Sequence, residues 1–238
     1  MRAVTAVGHR GDPYVARENT LPSLRAAIER GADAVEVDVR LTGDGVPVLL
    51  HDGSLKRLWG HDRPLSGLSE ARLTELTGGG VPTLAAALAA ASGHRLMLDL
   101  PGADASSARR VVGAVREGGA ADRVYYTGGP AGMLAVRDAD PDAEIALTWT
   151  TCAPPRPVLL ASLRPRWLNY RFGLVSRDLA DEVHAQGYLL SVWTADTRAA
   201  MRRLVDRGVD SITTNRVDAL TRVLRGPRTG RARQGQAR

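Results

Sequence analysis

The 238-residue sequence lacks the features that mark secreted, redox-active or membrane-spanning proteins. Its single cysteine, Cys152, cannot form an internal disulfide and lies beside a proline-rich turn, which argues against thiol chemistry. No run of about 18 apolar residues occurs, and the first residues contain no apolar stretch of signal-peptide length. We therefore predict a cytoplasmic protein without stable membrane insertion.

The basic charge of the chain is concentrated at its C-terminus. Residues 226–238 hold four arginines and no acid, so removing them reduces the formal net charge from +6 to +2. This tail is almost free of apolar side chains and cannot bury enough surface to offset the entropy cost of ordering, so we predict that it is disordered. Because neither interleaved aromatics nor a recognition motif accompanies the arginines, we expect no nucleic-acid partner.

Apolar runs of strand length alternate with amphipathic stretches of helical period through residues 1–225. Strands are predicted at residues 4–8, 34–40, 95–100, 123–127, 144–149, 167–170, 188–194 and 211–214. Helices are predicted at residues 21–30, 81–92, 106–117, 132–138, 157–163, 176–186, 197–207 and 217–225.

This alternation predicts an α/β protein with a parallel sheet. An open doubly wound sheet shows the same alternation, but eight units in about 225 residues fit a closed barrel better. A strand-like run at 46–50 and a polar segment at 53–80 interrupt the second unit. We therefore predict a single (β/α)₈ TIM barrel over residues 1–225, with a small insertion after strand two and a disordered basic tail over 226–238.

Two carboxylates on strand two indicate a metal site. Glu36 and Asp38 are two residues apart and project to the same side of the strand. If that side is the barrel interior, the two charges require a cation between them, and oxygen ligands suit a divalent metal. The alternative is that both side chains point outward and pair with arginines of the helices. The valines at 35, 37 and 39 favour the inward arrangement, because they form an apolar face suited to the helix layer.

Two histidines also lie at predicted strand ends, where barrel enzymes place their sites. Either His9 or His51 alone could be a structural histidine. Together, beside a cation, they can supply the general base and the general acid that displacement at phosphorus requires. Arg10 follows His9 and has the planar charge that binds phosphate through two hydrogen bonds, although arginines are more often simply at the surface.

Polar and aromatic residues at the later strand ends are weaker candidates. Trp193 could form an apolar wall for the substrate, or it could be a core aromatic at the barrel rim. Thr213, Thr214 and Asn215 end strand eight near the usual phosphate site of such barrels, but threonines are also common in strands. These residues therefore carry less weight in the prediction.

Seven segments of the chain resemble, in the same order, the motifs of the glycerophosphodiester phosphodiesterase family. They are GHRG (8–11), ENT (18–20), EVDV (36–39), GDGVPVLLHD (43–52), VPTL (81–84), VWT (192–194) and GVDSITTN (208–215). The resemblance implies that Glu36 and Asp38 bind Mg²⁺ or Ca²⁺ and that His9 and His51 act as acid and base. It also implies that Arg10 and Glu18 help to hold the phosphate and the metal.

The chain departs from the family at strand three. Family members usually have a metal-binding glutamate there and, two residues later, a lysine that contacts the phosphate; here the two positions are Asp99 and Pro101. Asp99 keeps a carboxylate, and we predict it as the third metal ligand with Glu18 as the fourth. Because Pro101 carries no charge, either Arg10 holds the phosphate alone or a loop residue assists it. The candidates are Arg57, Lys56 and Arg171.

The resemblance implies metal-dependent hydrolysis of small-molecule glycerophosphodiesters to glycerol 3-phosphate and an alcohol. A first alternative is a lysophospholipase D-like or other phosphodiesterase activity, because Pro101 alters the phosphate site. A second alternative is a catalytically impaired barrel that binds a phosphodiester without cleaving it. Either histidine can be the base, and either water or a neighbouring hydroxyl of the substrate can be the nucleophile.

Overall fold

A computed structural model describes residues 4–226 of the chain, so the predicted disordered tail lies outside the described residues except for Gly226. Eight parallel strands form a closed ring, because the first strand pairs with both the second and the last. The barrel strands are β1 (Thr5–His9), β2 (Ala34–Leu41), β4 (Arg95–Asp99), β5 (Val124–Gly128), β6 (Ile145–Trp149), β7 (Trp167–Arg171), β8 (Leu189–Trp193) and β9 (Ser211–Thr214). The TIM barrel predicted from the sequence is confirmed.

Helices follow the strands and form the outer layer. Those that connect successive barrel strands or follow the last one are α1 (Leu21–Glu29), α4 (Leu84–Ala90), α5 (Ala105–Glu117), α6 (Pro130–Ala139), α7 (Pro157–Leu163), α8 (Arg177–Ala185), α9 (Arg198–Arg207) and α10 (Val217–Arg225). Most of them begin at a Ser, Thr or Asp whose side chain accepts a hydrogen bond from the first turn. The predicted strand ends agree with the structure to within one residue.

Helix α4 is shorter than the predicted helix at 81–92. Thr83 caps it, and its hydroxyl accepts a hydrogen bond from the backbone N–H of Ala86. The two residues before Thr83 are not helical, and the carbonyl of Pro82 accepts from the N–H of Leu49. A contact distant in sequence therefore sets the start of this helix.

The insertion after β2 is more ordered than the sequence suggested. It begins with β3 (Pro47–Leu49), which pairs antiparallel with β2. The segment 53–80, predicted only as polar, contains the short helix α2 (Lys56–Trp59) and the helix α3 (Glu70–Thr77). A small separate core supports it, formed by Val48, Leu50, Leu55, Leu65, Leu68, Leu73 and Val81. Helices of four and eight residues contain too few apolar repeats to establish a helical period, which is why the prediction missed this unit.

The packing of the barrel leaves one end free for a site. Between strands and helices lies the main core, and a second cluster fills the interior near the strand N-termini with side chains such as Met97, Tyr125 and Trp167. Interior positions closer to the strand C-termini carry polar side chains instead. Within residues 4–226, no helix has the length and apolar character needed to cross a membrane.

Candidate active site

Three carboxylates lie together where β2 and β4 end. Glu36 and Asp38 share one side of β2, and Asp99 is paired with Asp38 in the parallel register of the two strands. Carboxylate oxygens of the three residues lie within 4.8 Å of one another. The valines between the acids pack in the core against the helices. The structure thus places the three carboxylates inward and brings them together, as the sequence analysis expected.

The electrostatics of this carboxylate group favour a bound cation. Burial raises the pKa of Glu36 well above its usual range, and the charges of Asp38 and Asp99 raise it further. Burial and the charge of Asp38 also raise the pKa of Asp99 to about 7. Ionising all three groups therefore requires added positive charge. Since carboxylate oxygens are the ligands that Mg²⁺ and Ca²⁺ prefer, the donor set fits a divalent cation.

A tight turn after β1 carries the next site residues. Arg10 and Gly11 both have positive φ angles, 56° and 86°. A Cβ atom on Gly11 would lie 2.5 Å from the backbone carbon of Ser23 in α1, so only glycine fits there. The turn directs the backbone N–H of Arg10 to Oε2 of Glu36, at 2.8 Å. It therefore fixes His9 and Arg10 beside the carboxylates.

His9 is oriented from the opposite side of β1. Its Nδ1 lies 2.8 Å from Oδ1 of Asn215, whose own Nδ2 donates to Asp196 at 2.8 Å. Asp196 thus fixes the orientation of the amide, so Nδ1 of His9 carries the proton and Nε2 faces Glu36, 3.9 Å away. Burial lowers the pKa of His9, as does the charge of Arg10. The ring is therefore neutral over most of the physiological pH range.

His51 follows β3 and lines the same cavity. Its Nδ1 lies 2.7 Å from Oδ1 of Asp52, which leaves Nε2 as the nitrogen available to a ligand. Arg57 donates to the other oxygen of Asp52 at 2.6 Å. The hydrogen bond from Arg57 lowers the pKa of Asp52 to about 2, and the bond to His51 adds to the effect. An ionised carboxylate therefore supports the second histidine.

Arg10 and Glu18 form an ion pair beside the carboxylate group. Nη1 of Arg10 donates to Glu18 at 2.9 Å, and Arg57 donates to both oxygens of Glu18, at 2.7 and 3.2 Å. Nε of Arg10 lies 3.1 Å from Oδ2 of Asp38, but its N–H does not point at that oxygen and has no hydrogen-bond partner within residues 4–226. Glu18 lies outside the group formed by Glu36, Asp38 and Asp99 and holds two guanidinium groups; its role as a metal ligand stays a prediction.

The cavity in front of these groups has a volume of about 210 Å³. Its far wall is uncharged and is formed by Thr127, Thr148, Asn169, Trp193 and Thr213. Two atoms of this wall, Oδ1 of Asn169 and Oγ1 of Thr213, are buried without a hydrogen-bond partner in the described part of the chain. The wall is therefore polar but uncharged, with the ring of Trp193 as an apolar surface beside it.

Sequence reasoning missed part of the support around His9. Asp196 was not considered and Asn215 received little weight, although Asn215 directly follows β9 and Asp196 lies three residues after β8. Asn19 donates from Nδ2 to Asp38 at 2.7 Å and accepts from the backbone N–H of the same residue at 3.1 Å. A polar residue next to a strand end was the available signal for Asp196, but only the folded chain shows that it acts on His9 through Asn215.

Comparison with known proteins settles the family. The sequence model of the glycerophosphoryl diester phosphodiesterase family matches residues 9–219. The chain belongs to this family. The match begins at His9 and includes every candidate site residue from the sequence analysis, so the resemblance drawn from the short motifs is confirmed.

Relatives in the family differ in how much of the chain they match. Human glycerophosphodiester phosphodiesterase 1 is 39% identical over 98 residues, which cover 41% of this chain and 26% of the human protein. A glycerophosphodiester phosphodiesterase of Caldanaerobacter subterraneus subsp. tengcongensis is 24% identical over 245 residues, which cover 92% of this chain and 97% of the relative. The matched region thus spans about a quarter of the human relative.

Solved structures of the family share the barrel. One is a phosphodiesterase of Oleispira antarctica in complex with the product sn-glycerol-3-phosphate. It superposes with a TM-score of 0.83 at 23% identity and covers 94% of this chain and 98% of that one. At this identity the likeness concerns the fold, which is the closed barrel described above.

Proposed function

We propose that the protein hydrolyses glycerophosphodiesters to glycerol 3-phosphate and an alcohol, with a divalent cation as cofactor. The observation that carries the proposal is one cavity in which His9 and His51 flank three carboxylates. Two imidazoles beside a metal-binding group are what acid-base catalysis at a phosphodiester needs. The family membership and the product sn-glycerol-3-phosphate in the Oleispira protein support the substrate class.

Glu36, Asp38 and Asp99 would hold the cation, either Mg²⁺ or Ca²⁺, with Glu18 as a further candidate ligand. When bound, the cation supplies positive charge that orients the phosphate and neutralises charge developing on its oxygens. Arg10 also lines the cavity and brings a positive charge to the phosphate, and Glu18 holds its guanidinium in place. The chain thus meets the anionic substrate with a fixed positive group of its own.

The two histidines have different surroundings, and we assign them different roles. Burial keeps His9 neutral with Nε2 unprotonated, so His9 is the general base that takes the proton of the attacking hydroxyl. His51 is the general acid, and the carboxylate of Asp52 supports its protonated ring. As the new bond to phosphorus forms and the bond to the leaving alcohol breaks, His51 passes its proton to the alkoxide.

The uncharged wall of the cavity suits the glycerol group. Thr148, Asn169 and Thr213 make this wall polar without charge, and Trp193 can cover the carbon chain of the glycerol. A choline or another alcohol contributes no fixed feature that this wall would recognise. We therefore propose that the glycerol half of the substrate, rather than the alcohol, sets the basic specificity.

A lysophospholipid is a second candidate substrate. Tyr14 and Val15, in the loop after β1, are 66% and 50% exposed, and Phe172 follows the end of β7 with 38% exposed. Large apolar side chains at the mouth of the barrel give an acyl chain a surface to lie on. Hydrolysis of a lysophospholipid with a lower KM than the matching glycerophosphodiester would favour this substrate. The cytoplasmic location predicted from the sequence stays a prediction.

The test is release of glycerol 3-phosphate from glycerophosphocholine, with Mg²⁺, with Ca²⁺ and with a chelator. We expect activity that depends on the cation and falls by at least about 10²-fold in His9→Gln and in His51→Gln. His94→Gln, in a loop remote from the cavity, is the matched control and should retain full activity. Activity that survives chelation or both active-site substitutions would contradict the mechanism. Binding of glycerol 3-phosphate without any turnover would instead support the impaired barrel.

A further inference from the structure

A second cavity of about 380 Å³ adjoins the active site at the ends of β2 and β4. The active-site cavity is lined by Asp38 and Asp99, and the second cavity is lined by Arg40 and Pro101, two residues further along the same two segments. Asp38 and Asp99 are paired in the register, and alternation directs residues two apart to the same side. Arg40 therefore points to the same side of β2 as Asp38, and Pro101, just past the end of β4, lines the same cavity as Arg40.

Arg40 is held in place by a single contact. Its Nε donates to the backbone carbonyl of His51 at 2.7 Å, which anchors the guanidinium next to the proposed general acid. The side chain is half-buried. Among residues 4–226, neither Nη atom of Arg40 makes a hydrogen bond or an ion pair. The guanidinium is therefore fixed in position while four of its N–H groups remain available to a ligand.

The other cations that the insertion brings to this side of the mouth are already engaged. Arg57 donates to Glu18 and Asp52 through all three of its nitrogens. Lys56 is paired with Asp62, and both side chains are largely exposed. Neither residue has the free donors and the fixed position that Arg40 combines.

Arg171, the remaining loop candidate from the sequence, belongs to the opposite wall. It ends β7, and its guanidinium lies over the ring of Trp193, 5.9 Å from the ring centroid. Since β7 lies across the barrel from β2, Arg171 is remote from the space beside Pro101. Arg40 is thus the arginine that lines the second cavity.

One acid, Asp104, lines the second cavity, and one of its oxygens is engaged in a helix cap. The carboxylate of Asp104 caps α5 and accepts from the backbone N–H of Ser107 at 2.8 Å and from the hydroxyl of the same residue at 2.8 Å. No ion pair joins it to Arg40 within the described residues. The one carboxylate that lines the cavity is thus engaged by the N-terminus of α5 rather than by Arg40.

We propose that Arg40 binds an oxyanion of the bound phosphodiester in this second cavity. The inference rests on the proposed function, because it places a substrate in the adjoining site. A planar guanidinium with free Nη groups binds phosphate or carboxylate oxygens in pairs. The oxyanion comes either from the scissile phosphate of a diester bound at the carboxylates, or from a second anionic group on the leaving alcohol, which the 380 Å³ cavity has room to hold.

The test compares two diesters in the wild type, Arg40→Gln and Arg40→Lys. Glycerophosphocholine has a cationic leaving alcohol, whereas glycerophosphoinositol 4-phosphate has one with a second phosphate. We expect Arg40→Gln to raise KM by about 10- to 100-fold, as the loss of a charge-assisted pair of hydrogen bonds does. Arg40→Lys keeps the charge but loses the paired hydrogen bonds, so its KM should lie between those of wild type and Arg40→Gln. Arg63→Gln, an exposed arginine of the insertion, is the matched control and should leave KM unchanged.

The pattern of loss identifies the source of the oxyanion. Equal loss for both diesters identifies the scissile phosphate, and loss confined to glycerophosphoinositol 4-phosphate identifies the leaving alcohol. Unchanged KM for both, or a fall in kcat alone, would overturn the proposal, because it would mean that Arg40 only supports His51. A melting temperature within about 2 °C of wild type excludes unfolding as the cause of a raised KM.

Calorimetry separates this proposal from the proposed function. Binding of glycerol 3-phosphate and of inositol 4-phosphate, the two products, is measured with Mg²⁺ and does not require turnover. We expect Arg40→Gln to weaken at least one of them by about 10-fold or more. A wild type that binds but cleaves neither diester would contradict the proposed function and leave this result intact. Equal affinities in wild type and Arg40→Gln would contradict the role of Arg40 alone.

Discussion

The two sides of the barrel mouth differ in charge. On the side of β1 to β4 lie both histidines, the three carboxylates and Arg10, whereas the side of β5 to β9 presents to the same cavity only uncharged side chains. The charged side can move protons and hold a cation. The other side offers hydroxyl and amide groups, which recognise a substrate without taking part in its chemistry. The groups that can react and the groups that can recognise a substrate therefore lie on different strands of one ring.

Each side of the mouth contains groups that lower the stability of the fold. On the charged side, burial disfavours the ionised forms of Glu36 and Asp99, as their raised pKa values show. On the uncharged side, Asn169 and Thr213 bury polar atoms without partners. Such groups destabilise the fold of the free protein, and a cation bound at Glu36 and Asp99 would offset the cost on the charged side.

A substitution among the carboxylates should lower activity more than a substitution on the uncharged wall. Glu36→Gln removes one charge from the proposed cation site but keeps the shape and an acceptor for the N–H of Arg10. We expect kcat/KM to fall by at least about 10³-fold, because charge stabilisation at the phosphate is lost. Thr148→Val, a matched change on the uncharged wall, should lower kcat/KM by about tenfold or less. Steady-state kinetics on glycerophosphocholine measures both, and similar losses in the two variants would break the distinction.

The second prediction concerns stability of the metal-free protein. The pKa of Asp99 is raised from 3.8 to about 7, so the folded state holds a proton that the unfolded state has released. The corresponding stability is complete below about pH 4 and is lost as the pH rises through 7. We expect the free energy of unfolding in chelator to fall between pH 5 and pH 8, by an amount on the order of a few kcal/mol.

Denaturant unfolding at several pH values checks this expectation. Asp99→Asn should reduce the slope of the unfolding free energy against pH. Asp122→Asn, at an exposed aspartate, should leave that slope unchanged. Some slope should persist in Asp99→Asn, since the pKa of Glu36 is raised in the same direction. Adding Mg²⁺ or Ca²⁺ should restore stability most strongly at pH 8. A stability that rises with pH in chelator would show that the carboxylates are not destabilised by burial.

Much of this arrangement follows from local sequence signals. Strand-length apolar runs predicted the eight strands to within one residue. The two-residue spacing of Glu36 and Asp38 placed both carboxylates on one side, and the valines that alternate with them indicated that this side faces inward. The same spacing extends to Arg40, so its side was also readable from the sequence. What no local pattern conveyed was that β3 and the residues before α4 are joined by hydrogen bonds.

The sequence also could not predict which side chains form hydrogen bonds across the ring. Arg57 and Glu18 are 39 residues apart, and His9 and Asn215 are 206 residues apart. Nothing in the spacing of such residues distinguishes a pair that meets from one that does not. Glu18 shows the consequence, because the sequence grouped it with the carboxylates and the structure places it between two arginines.

Two residues that follow strands of the uncharged side support a histidine of the charged side. Asp196 and Asn215 follow strands of the uncharged side, yet they orient His9. We expect Asn215→Leu to lower kcat by about 10- to 100-fold with little change in KM, as loss of a group that orients a catalytic histidine does. In ¹⁵N NMR spectra, His9 should change from a single tautomer to a mixture. A raised KM with unchanged kcat would place Asn215 in substrate binding instead.

The smallest expected effect has opposite signs in stability and in binding. Thr213→Val keeps the shape of a buried side chain but removes a hydroxyl that has no partner among residues 4–226. Removing an unsatisfied buried group should leave the melting temperature unchanged or raise it. If the hydroxyl meets the glycerol group, KM should rise by about three- to tenfold with kcat nearly constant. Ser191→Ala, buried on neighbouring β8 but not lining the cavity, is the control. Because a purely structural residue would lose stability first, a raised KM in a protein of equal or greater stability would assign the uncharged side to recognition.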